Sequence, residues 1–168
     1  MVRYLILALL PFLALFLQST FFATYTLGGA VPDLVLIFVT FYALMNSAGK
    51  GAVYGFFCGL LEDLFTGRFV GMNAISKALV AYLVGRYQVN VFKENIIVGV
   101  GTVAVATLLN SIILFAVSLG MSEIFHVDSG VLTTVIYQII YNSVLSVPLY
   151  LWYYNSVKSG WLRYNGER

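Results

Sequence analysis

The chain has 168 residues, 61% of them hydrophobic and only 10% charged, with a mean hydropathy of +0.92 and a formal net charge of +2. A soluble domain carries about 25% charged residues. Composition therefore excludes one, and several spans of about 20 residues each leave no room for a soluble catalytic or nucleic-acid-binding domain.

Six apolar segments follow one another, so the whole chain, 1–168, reads as one transmembrane domain: an all-α bundle of six membrane-spanning helices. The first runs from about Tyr4 to Tyr25, with Pro11 as a kink point. No charge occurs between Tyr4 and Pro32, a run too long for the apolar part of a signal peptide, so it reads as a retained span. The second starts at Pro32-Asp33-Leu34 and reaches about Ser47. A proline at a helix start with an acid beside it suits both the free backbone N–H groups and the helix dipole.

The third span, from Gly51 to about Phe65, lies in KGAVYGFFCGLLEDLFTGRFVG, where Gly51, Gly55, Gly59, Asp63, Gly67 and Gly71 fall every four residues. On a helix the first four of these share a face. Each interior glycine costs about 1 kcal/mol relative to alanine, which close helix packing in a bilayer offsets. The spacing thus predicts a groove at Gly51, Gly55 and Gly59 for another helix, either a partner's or one of this chain's, with Asp63 at its end. Gly67 and Gly71 fall in the following turn and at the start of the next helix. The fourth span runs from about Asn73 to Gln88, the fifth from Ile96 to Leu119 and the sixth from about Val131 to Tyr154, with Pro148 near its end. Cys58, the single cysteine, excludes an internal disulfide and a cysteine-built metal site and reads as a buried structural thiol.

With six spans both termini lie on one side, together with Arg3, Lys50, Arg86, Lys93, Lys158, Arg163 and Arg168. Only Arg68 lies on the other, with Lys77 inside the fourth span. The basic side is cytoplasmic by the positive-inside rule. Asp33, Glu62, Asp63, Glu123 and Asp128 lie at or toward the outer side. Tyr150, Trp152, Tyr153, Tyr154 and Trp161 suit a cytoplasmic interfacial belt.

Lys77 sits at bilayer depth, where a lipid-facing charge costs at least about 2.5–3.5 kcal/mol. It is expected to face the interior and pair with Asp63, because the turn near Gly67 folds the third and fourth spans into a hairpin. Glu62, about 100° around the helix, is expected to reach the surface. The pair either only packs or has a binding or switching role. Thr134, Gln138, Asn142 and Ser146 form a polar stripe on the sixth span, which Asn110 and Ser111 of the fifth could join. Interhelical hydrogen bonding and a ligand cavity are the two readings of that stripe. His126 reads as an exposed loop residue. Motifs for metal-dependent, serine-based or P-loop catalysis are missing, so no enzyme activity, cofactor or metal is expected.

The stretches Pro32-Asp33-Leu34 and Gly55-Phe56-Phe57-Cys58-Gly59-Leu60-Leu61-Glu62-Asp63, with Gly67 and Gly71 following, resemble the family of the rod shape-determining protein MreD. The similarity extends over the whole chain in length and span count and is specific from about Pro32 to Gly85. It implies a bacterial inner-membrane subunit of the cell-elongation machinery. The partners it implies are MreC and, through it, the MreB filament, RodA and a class B penicillin-binding protein. The family is also similar in fold to the substrate-binding S components of energy-coupling-factor vitamin transporters. Two readings follow: a scaffold docking a partner helix in the glycine groove, and a small-molecule binder with Asn110, Gln138 and Asn142 lining a pocket.

Overall fold

The computed structural model describes residues 2–67, 69–88, 95–120, 129–158 and 161–162. They form α1 (Val2–Thr24), α2 (Leu34–Met45), α3 (Ala48–Thr66), α4 (Met72–Tyr87), α5 (Ile96–Gly120) and α6 (Ser129–Lys158). Each apolar segment expected from the sequence gives one helix, with ends shifted by a few residues. Among the described residues there is no strand beyond an isolated bridge between Leu27 and Ala30. Arg68, Lys93, Glu123, His126, Asp128, Arg163 and Arg168 lie outside the described residues.

The second helix is the centre of the bundle. It touches each of the other five, and ten of its twelve residues are buried. A helix apolar on every side is stable only when surrounded, and LVLIFVTFYALM has no polar face to give to solvent. Twelve residues rise only about 18 Å, against a hydrocarbon core of about 30 Å. Pro32 and Asp33, both buried, extend the path as non-helical backbone. Such backbone is tolerated at membrane depth only where protein wraps it.

Three helices, α1, α5 and α6, are long and apolar enough to cross a membrane. On α1, Leu5, Leu9, Phe12, Leu13 and Phe16 are each more than half exposed. A patch of that kind is a liability in water and the natural lipid face of a helix in a bilayer.

The third and fourth helices form the closest pair. Two glycines with left-handed backbone close their hairpin: Gly67 at φ 64° ends α3, and Gly71 at φ 105° precedes α4. Side chains disfavour both conformations. The glycine groove is filled within the chain. A Cβ on Gly55 would stand 2.6 Å from the Lys77 carbonyl oxygen, and one on Gly51 would stand 3.0 Å from that of Ala81. A Cβ on Gly59 would strike the Asn73 carbonyl and stand 2.7 Å from Ala74 Cα. The occupant at Gly55 and Gly59 is therefore α4, joined at Gly51 by Ala43 of α2, and not a partner's helix, because the short turn returns α4 along that face.

The expected aromatic belt is also corrected. Tyr150 and Tyr153 are buried and pack on Phe41, with ring centroids 5.1 and 5.7 Å away. Gly99 makes the room, since a Cβ there would lie 2.7 Å from the Tyr150 ring. Positions three apart share a helix face, and on α6 that face is turned to α2. Trp152 and Trp161 are exposed.

Candidate functional site

Around the N-terminus of α2 the buried Asp33, Glu62, Lys77 and Asn142 come together. Asp33 is the N-cap, and its Oδ1 accepts from Leu36 N–H at 2.7 Å. This is the standard use of an aspartate at that position. The flanking donors are also satisfied: Asp33 N–H donates to Asn142 Oδ1 at 2.8 Å, and Leu34 N–H to Gln18 Oε1 at 3.2 Å. A buried helix end left without such partners would be costly.

The second oxygen of Asp33 faces α4. Lys77 Nζ lies 2.8 Å from Asp33 Oδ2, 2.8 Å from Glu62 Oε2 and 3.4 Å from Asn73 Oδ1. Asp33 Oδ2 and Asn73 Oδ1 accept hydrogen bonds from the ammonium, which has three protons to donate. The Glu62 contact is short but off the line of a hydrogen bond, so it is ionic in character. Lys77 is 0% exposed, and Asp33 and Glu62 are 5% and 6% exposed. An isolated ion at this depth would carry a penalty of several kcal/mol (order of magnitude); the cluster replaces hydration with opposite charge.

Asp63 does not pair with Lys77. It accepts from Gly71 N–H at 2.8 Å, Asn73 N–H at 3.1 Å, Asn73 Nδ2 at 2.9 Å and Ala74 N–H at 3.1 Å. It thus neutralises the open N–H groups and positive dipole end of α4. The expected Asp63–Lys77 pair is replaced by a relay, with Asn73 between them. The reason is axial level. Asp63 ends the glycine face opposite the first turn of α4, where backbone donors meet it before the Lys77 side chain can. Glu62, expected at the surface, is turned inward by its 100° offset and takes the ammonium instead.

Asn142 Nδ2 donates to Thr107 Oγ1 at 3.0 Å, Gln138 Nε2 to Val31 O at 3.2 Å, and Ser76 Oγ to Asn110 Oδ1 at 2.6 Å. Asn110 and Asn142 are thus engaged in interhelical bonds and Gln138 in one to the segment between α1 and α2, and residues from all six helices meet around one centre. Pro32 stands directly before the Asp33 cap. The residues that sequence reasoning missed are Gln18, Asn73, Ser76 and Thr107, and the Asp33 and Glu62 roles at Lys77. Asn73 had a signal, since it precedes Lys77 by one turn on the same face. Among the described residues no cluster of three or more His, Cys, Asp or Glu could hold a metal ion. The arrangement clamps helices; it offers no nucleophile with an adjacent base.

Replacing Asp63 tests the clamp at its simplest point. Asp63→Ala leaves four N–H donors without their acceptor, and a buried unsatisfied donor costs about 1–3 kcal/mol. The expected result is a lower thermal midpoint in detergent, with Asp63→Asn, which keeps one acceptor oxygen, between wild type and Asp63→Ala. Equal midpoints for all three would remove the capping role.

A family model described as rod shape-determining protein MreD matches residues 1–159 of the chain. No curated relative and no solved structure matches it.

Proposed function

The chain belongs to the MreD family of rod shape-determining proteins, and from that premise we propose that it is a non-enzymatic subunit of the bacterial cell-elongation complex. In this reading it spans the inner membrane six times and binds MreC. It acts through MreC on MreB, RodA and a class B penicillin-binding protein to direct lateral peptidoglycan synthesis. The observation that carries the proposal is the family match, which extends over nearly the whole chain. The buried network supports a scaffold rather than a vitamin-binding S component. The oxygen and the nitrogen of the Asn142 side-chain amide are both bonded within the protein, and Gln138 and Asn110 also bond to neighbouring segments.

Depletion in a rod-shaped host, combined with affinity purification from solubilised membranes, tests it. Rounded cells and copurified MreC are the expected results. Rods that persist after depletion, with MreC absent from the eluate, would sink the proposal.

Topology is a separate expectation, drawn from the Lys/Arg split. In a Cys58→Ala background, which removes the buried native thiol, cysteines are placed at Ser122 and Ser159. An impermeant thiol reagent should label position 122 and spare position 159 in intact spheroplasts. The opposite labelling would invert the orientation.

A further inference from the structure

Pro11 lies inside α1. A proline has no N–H to give, so the carbonyl four residues earlier loses its helical partner. That carbonyl belongs to Leu7, which is buried. At membrane depth no water replaces the lost donor, and a bare carbonyl is costly. Tyr54 of α3 supplies what the proline removed: its hydroxyl donates to the Leu7 carbonyl at 2.8 Å.

The hydroxyl stands on a fixed support. The Tyr54 ring packs on that of Tyr42 of α2, with centroids 4.3 Å apart, and α3 is locked to the α4 backbone at Gly55 and Gly59. The first helix is held less closely. Among the described residues its backbone comes near those of α2 and α3 and of no other helix. After Pro11 it is well tied. Gln18 Oε1 accepts from Leu34 N–H, the Phe22 ring meets Tyr141 edge-on at 5.8 Å, and the Tyr25 carbonyl just beyond accepts from the Tyr141 hydroxyl at 2.8 Å. Before Pro11, Leu7 and Leu10 face inward while Tyr4, Leu5 and Leu9 are exposed, and the bond from Arg3 to Asn46 Oδ1 is 3.3 Å long. An apolar groove of about 390 Å³ runs beside this half of the helix, with Leu7, Ala8 and Pro11 on one wall and Tyr54, Phe57 and Cys58 on the other. The residues before the proline therefore have space on that side.

We propose that residues 2–10 form an arm hinged at Pro11, with the Tyr54 hydroxyl as its latch on the Leu7 carbonyl. A proline site lacks the bond that would hold a helix straight, so the angle of the arm is set from outside, by α3. Releasing the latch lets the arm swing away from α3, which widens the groove and uncovers Cys58, the buried thiol on its wall. The device belongs to the fold itself and does not depend on the scaffold reading.

Cys58 is the single cysteine of the chain, so it reports on the groove with no added label. The test uses the full chain in neutral maltoside detergent, with methyl methanethiosulfonate as the thiol reagent and mass spectrometry to follow modification. Wild type, Tyr54→Phe, Pro11→Ala and the double variant are compared. Tyr54→Phe removes the latch. It should lower the thermal midpoint and speed Cys58 modification about 2- to 10-fold, the change in open population that one net hydrogen bond makes. Pro11→Ala restores the N–H, so the Leu7 carbonyl regains its helical donor and no longer needs the hydroxyl. In that background Tyr54→Phe should leave rate and midpoint nearly unchanged. Pro11→Leu, which also carries an N–H, takes its place if Pro11→Ala is not recovered as folded protein. Equal effects of Tyr54→Phe in the wild-type and Pro11→Ala backgrounds would overturn the latch, because the hydroxyl would not be serving the freed carbonyl. A lowered midpoint in Tyr54→Phe with an unchanged Cys58 rate would overturn the hinged arm.

Discussion

Lys77→Met should be among the most damaging single substitutions in this protein. It keeps most of the side-chain volume but leaves Asp33 and Glu62 facing each other across the vacated charge, both nearly inaccessible. Removing one partner of a buried ion cluster costs about 3–5 kcal/mol, a large share of the total stability of a domain. The measurable result is loss of monodisperse protein in detergent and a lower midpoint for whatever remains. Neutralising the whole cluster should cost less. The triple variant Lys77→Met, Glu62→Gln, Asp33→Asn removes all three charges, and asparagine still caps a helix. It should be more stable than Lys77→Met alone. Double-mutant cycles should give coupling of about 0.5–3 kcal/mol for Lys77 with Asp33 and with Glu62, and a smaller value for Lys77 with Asp63. If the Asp63 coupling is the largest of the three, the cluster described here is wrong.

Gly59→Leu should have an effect of similar size by a different route. Even the first carbon of the new side chain would meet the Asn73 carbonyl and Ala74 Cα, which are backbone and cannot swing aside. Extra methylenes forced into a packed core cost about 1–3 kcal/mol and occasionally more, and here the obstacle is backbone. Gly59→Ala and Gly55→Ala should already be destabilising, and Gly51→Ala less so, since its nearest contacts are at 3.0 Å or more. Gly49 has nothing within 4 Å, so Gly49→Ala should be neutral or gain up to about 1 kcal/mol of helix propensity. Thermal midpoints across this series give the check, and a flat series would take the close α3–α4 contact out of the account.

The architecture was legible because hydropathy is a local property. Six apolar runs gave six helices, and the four-residue glycine spacing identified the face of α3 that another backbone approaches. Which backbone arrives there is a tertiary fact, and the spacing alone suits a partner's helix equally well. The ion cluster failed for the same reason at finer scale. Glu62 and Asp63 are neighbours in sequence, and only the rotation and axial level of α3 against α4 decide which meets the ammonium and which meets the amides. Asp33 could be recognised as a helix-start acid, because capping is encoded within three residues. Its second role, as counter-ion to a lysine 44 residues away, leaves no local trace. Tyr150 and Tyr153 were misassigned to the interface because a tyrosine-rich end resembles an aromatic belt in composition, whereas the rings fit beside Gly99 and Phe41.

The placement of the buried charges also bears on how the protein is made. Asp33, Glu62, Asp63 and Lys77 all lie in the first half of the chain, and their ionic partners and the donors to Asp63 lie between residues 33 and 77. The helices synthesised later, α5 and α6, hold no charged residue until Lys158. A chain emerging from the ribosome can therefore settle every one of these four ions against another part of itself once α4 has been made. The last two helices then insert as plain apolar segments, and their amides and hydroxyls close around a centre whose electrostatics are already balanced. Nascent chain that has passed Tyr87 need not shield an unpaired ion from lipid while it waits for the remainder.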